Sequence, residues 1–262
     1  MIFATMGTVA FAAVRSGKAE ADWIGATKSY EAGKPVQTAV RLVVDAGWHT
    51  YWLNPGEGGM KISAVWELPA GWTAGELQHP LPKRFMTGEL PGFGYEGTVV
   101  FPVTFTPPAG FTGPAKLKGK ISWLTCSDQS CIPGNAKIEL SLNAGPPAAA
   151  EAELVAEALR KIPVPPASGV SLTVVGQPKS LRLTIVGLTD KPGDYEVFPA
   201  TPQVVDSAAR IEFKDDGGKW TAEVPKSEYA PKEIEELTLV LAGKASQTPL
   251  ALTWKSEPAK SD

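Results

Sequence analysis

The chain has 262 residues, a formal charge of −3, 43% hydrophobic side chains and 20% charged ones. That length can bury a core without covalent help, and the near-neutral balance gives no electrostatic case for a nucleic-acid partner. No stretch approaches the roughly 20 apolar residues of a membrane-spanning helix, and 26 glycines with 24 prolines favour short strands and turns over long helices.

The N-terminal segment "MIFATMGTVAFAAVRSGKAEADW" joins an apolar run from Ile2 to Val14 to an A-x-A pattern at Ala19–Glu20–Ala21. Residues 1–21 are read as a leader cut after Ala21, placing the chain in the periplasm or otherwise outside the cytoplasm. The basic residues that should precede the run are missing, and a buried N-terminal segment is the other reading. Export would matter, because an oxidising compartment lets a cysteine pair persist or cycle as a disulfide.

The pattern then becomes strand-like. "PVQTAVRLVV" puts Val36, Thr38, Val40, Leu42 and Val44 on one face, and "AKIELSL" repeats this with Ala136, Ile138, Leu140 and Leu142. "TYWLN", "AVWEL", "TVVFPVTF" and "AKLKGKISWLT" lie between them, punctuated by Gly and Pro. Together they predict an antiparallel, immunoglobulin-like sandwich over residues 22–146. Residues 147–166 form a Pro/Ala-rich linker, in which Leu154, Val155, Ala158, Leu159 and Ile162 predict one short amphipathic helix. Over 167–262, "VSLTVVG", "LRLTIVGL", "YEVFP", "RIEFKDDGGKWTAEV" and "ELTLVLAG" predict a second β-sandwich, with a hairpin turn at Asp216–Gly217–Gly218. It contains neither Cys nor His. The fold class is all-β.

Several motifs carry no chemistry. "GFGYEG", with Gly92, Gly94 and Gly97, fits G-x-G-x-x-G, but a strand follows it where a dinucleotide site needs a helix, so it is read as a glycine-rich loop. His49 and His79 are too few and too separated to suggest zinc with the cysteines, and each alone reads as structural. Trp48, Trp52, Trp66 and Trp72 read as core, with a ligand groove as the alternative.

Cys126 and Cys131 remain, in "ISWLTCSDQSCIPG". They fall at the mouth of a hairpin, near enough to bond if the loop bends suitably. A ring this small contributes only about 2 kcal/mol as a staple, whereas an exposed pair at a loop tip is open to attack by another thiolate. Asp128 between the cysteines disfavours a thiolate, while Lys118, Lys120 and Lys137 are candidates to favour one. Structural staple, metal clip and redox switch all stay open on the residues alone.

The stretches "GWHTYWLNPGEGG", "LPAGW", "GYEGTVVFPVTFTPPAG" and "ISWLTCSDQSCIPG", in order over about residues 36–142, resemble the N-terminal periplasmic domain of the DsbD and ScsB thiol–disulfide interchange family. The resemblance implies an immunoglobulin-like fold working through a reversible Cys126–Cys131 disulfide, with no diffusible cofactor and no metal. It implies that Cys131 forms the mixed disulfide. The implied partners are a membrane electron-transfer domain, in the same or a separate chain, and periplasmic thioredoxin-like proteins. "RFMTGELPGFGYEG" stands in place of the family's shielding loop, making Phe85, Glu89, Phe93 and Tyr95 candidate shields of the pair, with turn and core roles as the alternative. A non-catalytic binding sandwich with a permanent disulfide is the competing function, and a copper- or zinc-handling domain a third.

Overall fold

The computed structural model describes residues 13–243 and 247–257. The first unit contains β1 (Val14–Ser16), β2 (Ala19–Gly25), β3 (Ser29–Tyr30), β4 (Val36–Val44), β5 (His49–Gly56) and β6 (Ser63–Glu67). It continues with β7 (Thr73–Ala74), β8 (Lys83–Thr87), β9 (Leu90–Glu96), β10 (Thr98–Thr106), β11 (Ala115–Cys126) and β12 (Cys131–Ala144). Helix α1 (Ala152–Arg160) follows. The second unit contains β13 (Ser171–Gly176), β14 (Ser180–Val186), β15 (Glu196–Pro199), β16 (Lys214–Asp215), β17 (Trp220–Pro225), β18 (Glu236–Ala242) and β19 (Leu250–Lys255).

Alternating side chains explain the layers. Val36, Thr38, Val40, Leu42 and Val44 are all buried, as their period of two predicts. One sheet of the first unit runs β1-β2-β4-β10-β7. The other runs β3-β12-β11-β5-β9-β8, with β6 also paired to β11. The second unit has sheets β13-β14-β17-β16 and β15-β18-β19. The architecture is therefore all-β with two sandwiches, the first immunoglobulin-like. Trp52 and Trp72 are buried in the first core, while Trp48 and Trp66 are partly buried against it.

The N-terminal strands depart from the expected boundary. Residues 1–12, most of the leader reading, lie outside the described residues. Val14–Ser16 and Ala19–Gly25, however, are strands of the first sandwich, and Ala19 and Ala21 are wholly buried opposite Val44 and Leu42 of β4. A cut after Ala21 would split β2. Small residues two apart suit a buried strand face as well as they suit a cleavage site.

The predicted linker helix is present, and it is docked. Val155 and Ala158 pack onto Ile24, Ala39 and Val100, so α1 covers the outer face of the β2-β4-β10 sheet. Val164 then bridges to Leu250 at the edge of the second unit. In that unit Asp216, Gly217 and Gly218 do turn the chain between β16 and β17, and both glycines take positive φ.

The two units share packing. Phe198, Ala200, Val240 and Ala242 of the second unit belong to the first unit's core cluster. Buried Asn54 donates from Nδ2 to the Pro199 carbonyl at 2.8 Å. Arg84 on β8 reaches across to donate to the Val197 and Ala209 carbonyls at 2.9 and 3.3 Å. Its guanidinium lies against the rings of Phe93 and Phe198 and pairs with Glu196.

Candidate functional site: a cysteine row on the outer face of a sheet

β11 and β12 form a long antiparallel hairpin in which Cys126 and Cys131 are the last facing pair, with Cα atoms 4.1 Å apart and the sulfurs bonded. Ser127–Ser130 makes the turn, the Ser127 N–H donating to the Ser130 carbonyl at 2.9 Å. Alternation sets which way the sulfurs face. Leu117, Gly119, Ile121, Trp123 and Thr125 point into the sandwich, and so do Gly134, Ala136 and Ile138. Cys126 and Cys131 have the opposite parity and lie on the outer face. Trp123 packs directly over Gly134, where a Cβ would come within 2.4 Å of the indole nitrogen. The two sulfurs differ in access: Cys126 is wholly buried and Cys131 is exposed.

On the far side of β11, Cys126 faces His49 of β5, and His49 in turn faces Glu96 of β9. Directly opposite residues of antiparallel strands project to the same face. A single cross-strand row therefore reads Cys131, Cys126, His49, Glu96, exposed at both ends and buried in the middle. His49 shares a hydrogen bond with Thr87 Oγ1 through Nε2 at 2.8 Å. The Phe85 ring lies over it with centroids 3.9 Å apart, and Tyr51 meets it edge-on. Burial lowers the His49 pKa; Glu96 and Asp128 oppose that shift.

Of the four candidate shields, the structure brings one over the row. Phe85 covers His49 because Gly92 and Gly94 leave the outer face of β9 bare: a Cβ on either would strike the Phe85 ring at 2.8–2.9 Å. These glycines lie within β9, not in the loop expected of "GFGYEG". Phe93 and Tyr95 have the opposite parity and are core residues, Phe93 against Trp52 and Phe198, Tyr95 donating its hydroxyl to the Pro80 carbonyl. Glu89 is exposed in the β8–β9 turn.

The lysines considered as thiolate stabilisers do not reach the sulfurs. Lys120 faces Lys137, six residues from Cys126, or roughly 20 Å along a strand, and Lys118 is paired with Glu67 at 3.0 Å. Sequence reasoning missed His49 as a neighbour of the pair, and Glu96 behind it. The remaining histidine, His79, lies elsewhere, lining a cleft of about 650 Å³ between the two units with Trp52, Trp66, Lys61 and Thr238. Among the described residues no group of three or more His, Cys, Asp or Glu could hold a metal ion. No helix among them is long and apolar enough to cross a membrane.

Residues 21–143 match the family described as thiol:disulfide interchange protein DsbD, N-terminal. Among solved structures, the N-terminal periplasmic domain of ScsB from Proteus mirabilis superposes with a TM-score of 0.64 at 20% identity, covering 90% of this chain and 91% of that one. At that identity the likeness is one of fold, and its coverage takes in both sandwiches. The sporulation control protein Spo0M from Bacillus subtilis gives a TM-score of 0.26 at 12% identity over 92% of this chain and 91% of that one, too low to bear on the fold. No curated protein sequence matches the chain.

Proposed function

We propose, from the match of residues 21–143 to the N-terminal domain of the thiol:disulfide interchange protein DsbD, that the chain relays reducing equivalents through reversible opening of the Cys126–Cys131 disulfide. The observation that carries this reading is the asymmetry of the pair, one sulfur exposed and its neighbour buried. An incoming thiolate attacks Cys131 Sγ, the Sγ–Sγ bond breaks, and Cys126 leaves with the electron pair. A second thiol of the donor then displaces Cys131, so the donor ends as a disulfide and this chain as a dithiol, two electrons and two protons richer. Delivery runs in reverse: Cys131 attacks an acceptor disulfide and Cys126 resolves the mixed disulfide. The chemistry needs no metal or diffusible cofactor.

The acceptors in this reading are periplasmic thioredoxin-like proteins, and the donor is a membrane electron-transfer domain in the same or another chain. A periplasmic location is supported by the ScsB relative, described as a periplasmic domain. The chain is thus one component of a protein-disulfide reductase system. A purely structural bridge has less to do here, since the hairpin is already zipped by facing residues from Ala115↔Leu142 up to the cysteines themselves.

Trapping separates the two sulfurs. The Cys126→Ala variant, with Cys131 left on the surface, is expected to capture a thioredoxin-like protein as a mixed disulfide resolved by non-reducing electrophoresis. The Cys131→Ala variant, with Cys126 buried, is expected to capture little or none. Absence of capture by either variant would contradict the relay.

A further inference from the structure

Resting on that relay, we propose that His49 is the proton-exchanging partner of Cys126: it takes the Cys126 thiol proton when that sulfur resolves a mixed disulfide, and returns it when the bridge is reduced. The need arises from burial. A thiol enclosed in apolar surroundings holds its proton more tightly than a free one, and only the thiolate attacks. Cys126 has no exposed surface through which to lose a proton. The titratable side chain beside it in its row is His49, and directly opposite residues hold their Cβ atoms about 4.5–5.5 Å apart.

The surroundings suit a base that works and then resets. Burial keeps His49 neutral near neutral pH and so able to accept a proton. Thr87 and the Phe85 ring fix the plane of the imidazole. The charged and titratable groups around it are Glu96 on β9, Asp128 in the β11–β12 turn and Tyr51 on β5, with exposed Lys83 one row further along β8. Both carboxylates favour a transient imidazolium, while burial raises the Tyr51 phenol and keeps it protonated. Glu96 is exposed, so the far end of the row opens to solvent.

The resolving step then balances. The Cys126 S–H proton passes to His49, the thiolate attacks Cys131 Sγ, the intramolecular bond forms, and the partner leaves as a thiolate. The imidazolium afterwards gives its proton to solvent or to the departing thiolate. In the reductive direction the incoming thiol's proton ends on Cys126 by the same route.

Ellman's disulfide reads the two sulfurs separately on the reduced, full-length chain. Attack by Cys131 releases one thionitrobenzoate, and resolution by Cys126 releases the second. His49→Gln is expected to slow the second release roughly ten- to a hundredfold at pH 7, and to make it climb steadily with pH, while the first release changes little. Identical second-phase pH profiles in variant and wild type would overturn the role of His49. A wild-type protein that never gives a second release would instead overturn the relay. NMR titration of the wild type needs no variant: the His49 midpoint should differ between oxidised and reduced protein while that of His79 stays put. A His49 midpoint indifferent to the redox state would also overturn the proposal.

Discussion

The two sandwiches use one architecture for different ends. The first closes its interior with aromatic rings, among them Trp23, Trp52, Phe93, Phe101 and Trp123, and carries Cys126, Cys131 and His49 on an outer sheet face. The second has a mostly aliphatic core built on residues such as Leu181, Leu183, Leu237, Leu239 and Leu241, and holds no sulfur nucleophile or imidazole. What it supplies is a wall. Phe198 fills the space beside Trp52 and Phe93, and the carbonyls of Val197 and Ala209 anchor Arg84. Arg84 precedes Phe85 on β8, so the strand that covers His49 is tied at its base to the second sandwich. A sandwich without Cys or His can thus still hold the geometry of the strand beside a neighbouring cysteine pair.

Cutting that tie gives the largest effect. Arg84→Ala leaves the Val197 and Ala209 carbonyls without their donor and empties the space between two rings. A loss of roughly 2–4 kcal/mol is expected in urea unfolding, together with loosening of β8 seen as faster amide exchange at Phe85 and Thr87. Unchanged stability would mean that Arg84 does not help to tie the two units together.

A smaller effect concerns the cleft. Burial, and then the Lys61 ammonium, push the His79 pKa down to about 4. The folded state therefore prefers neutral His79, whose contribution is fully present above the unfolded value near 6.5 and is lost as pH falls from there towards 4. The loss approaches roughly 3 kcal/mol across that window. His79→Phe should flatten this part of the pH–stability curve, measured as urea midpoints from pH 7 to pH 4.

Much of this was legible in the residues, for local reasons. Period-two alternation marked β4 and β12, helical spacing marked α1, and the short interval between Cys126 and Cys131 put both at one hairpin mouth. The misreadings came from two sources. One segment satisfies two patterns at once: the glycines of "GFGYEG" suit a loop, yet they line one bare face of a strand. That alternation, read as a strand, would have sent Phe93 and Tyr95 inward and left the opposite face open for Phe85. Other contacts are long-range. Nothing near His49 announces that β5 meets β11 at Cys126, nor does "KRFMT" announce that Arg84 will find carbonyls of a second domain.

The most direct measurement equilibrates the folded, oxidised chain with a reduced thioredoxin-type dithiol and follows Cys126 and Cys131 by alkylation and mass, with folding monitored in parallel. The account predicts a measurable mixture of bridged and dithiol forms, reached while both sandwiches remain folded. A bridge that stays closed until denaturant unfolds the first sandwich would contradict it.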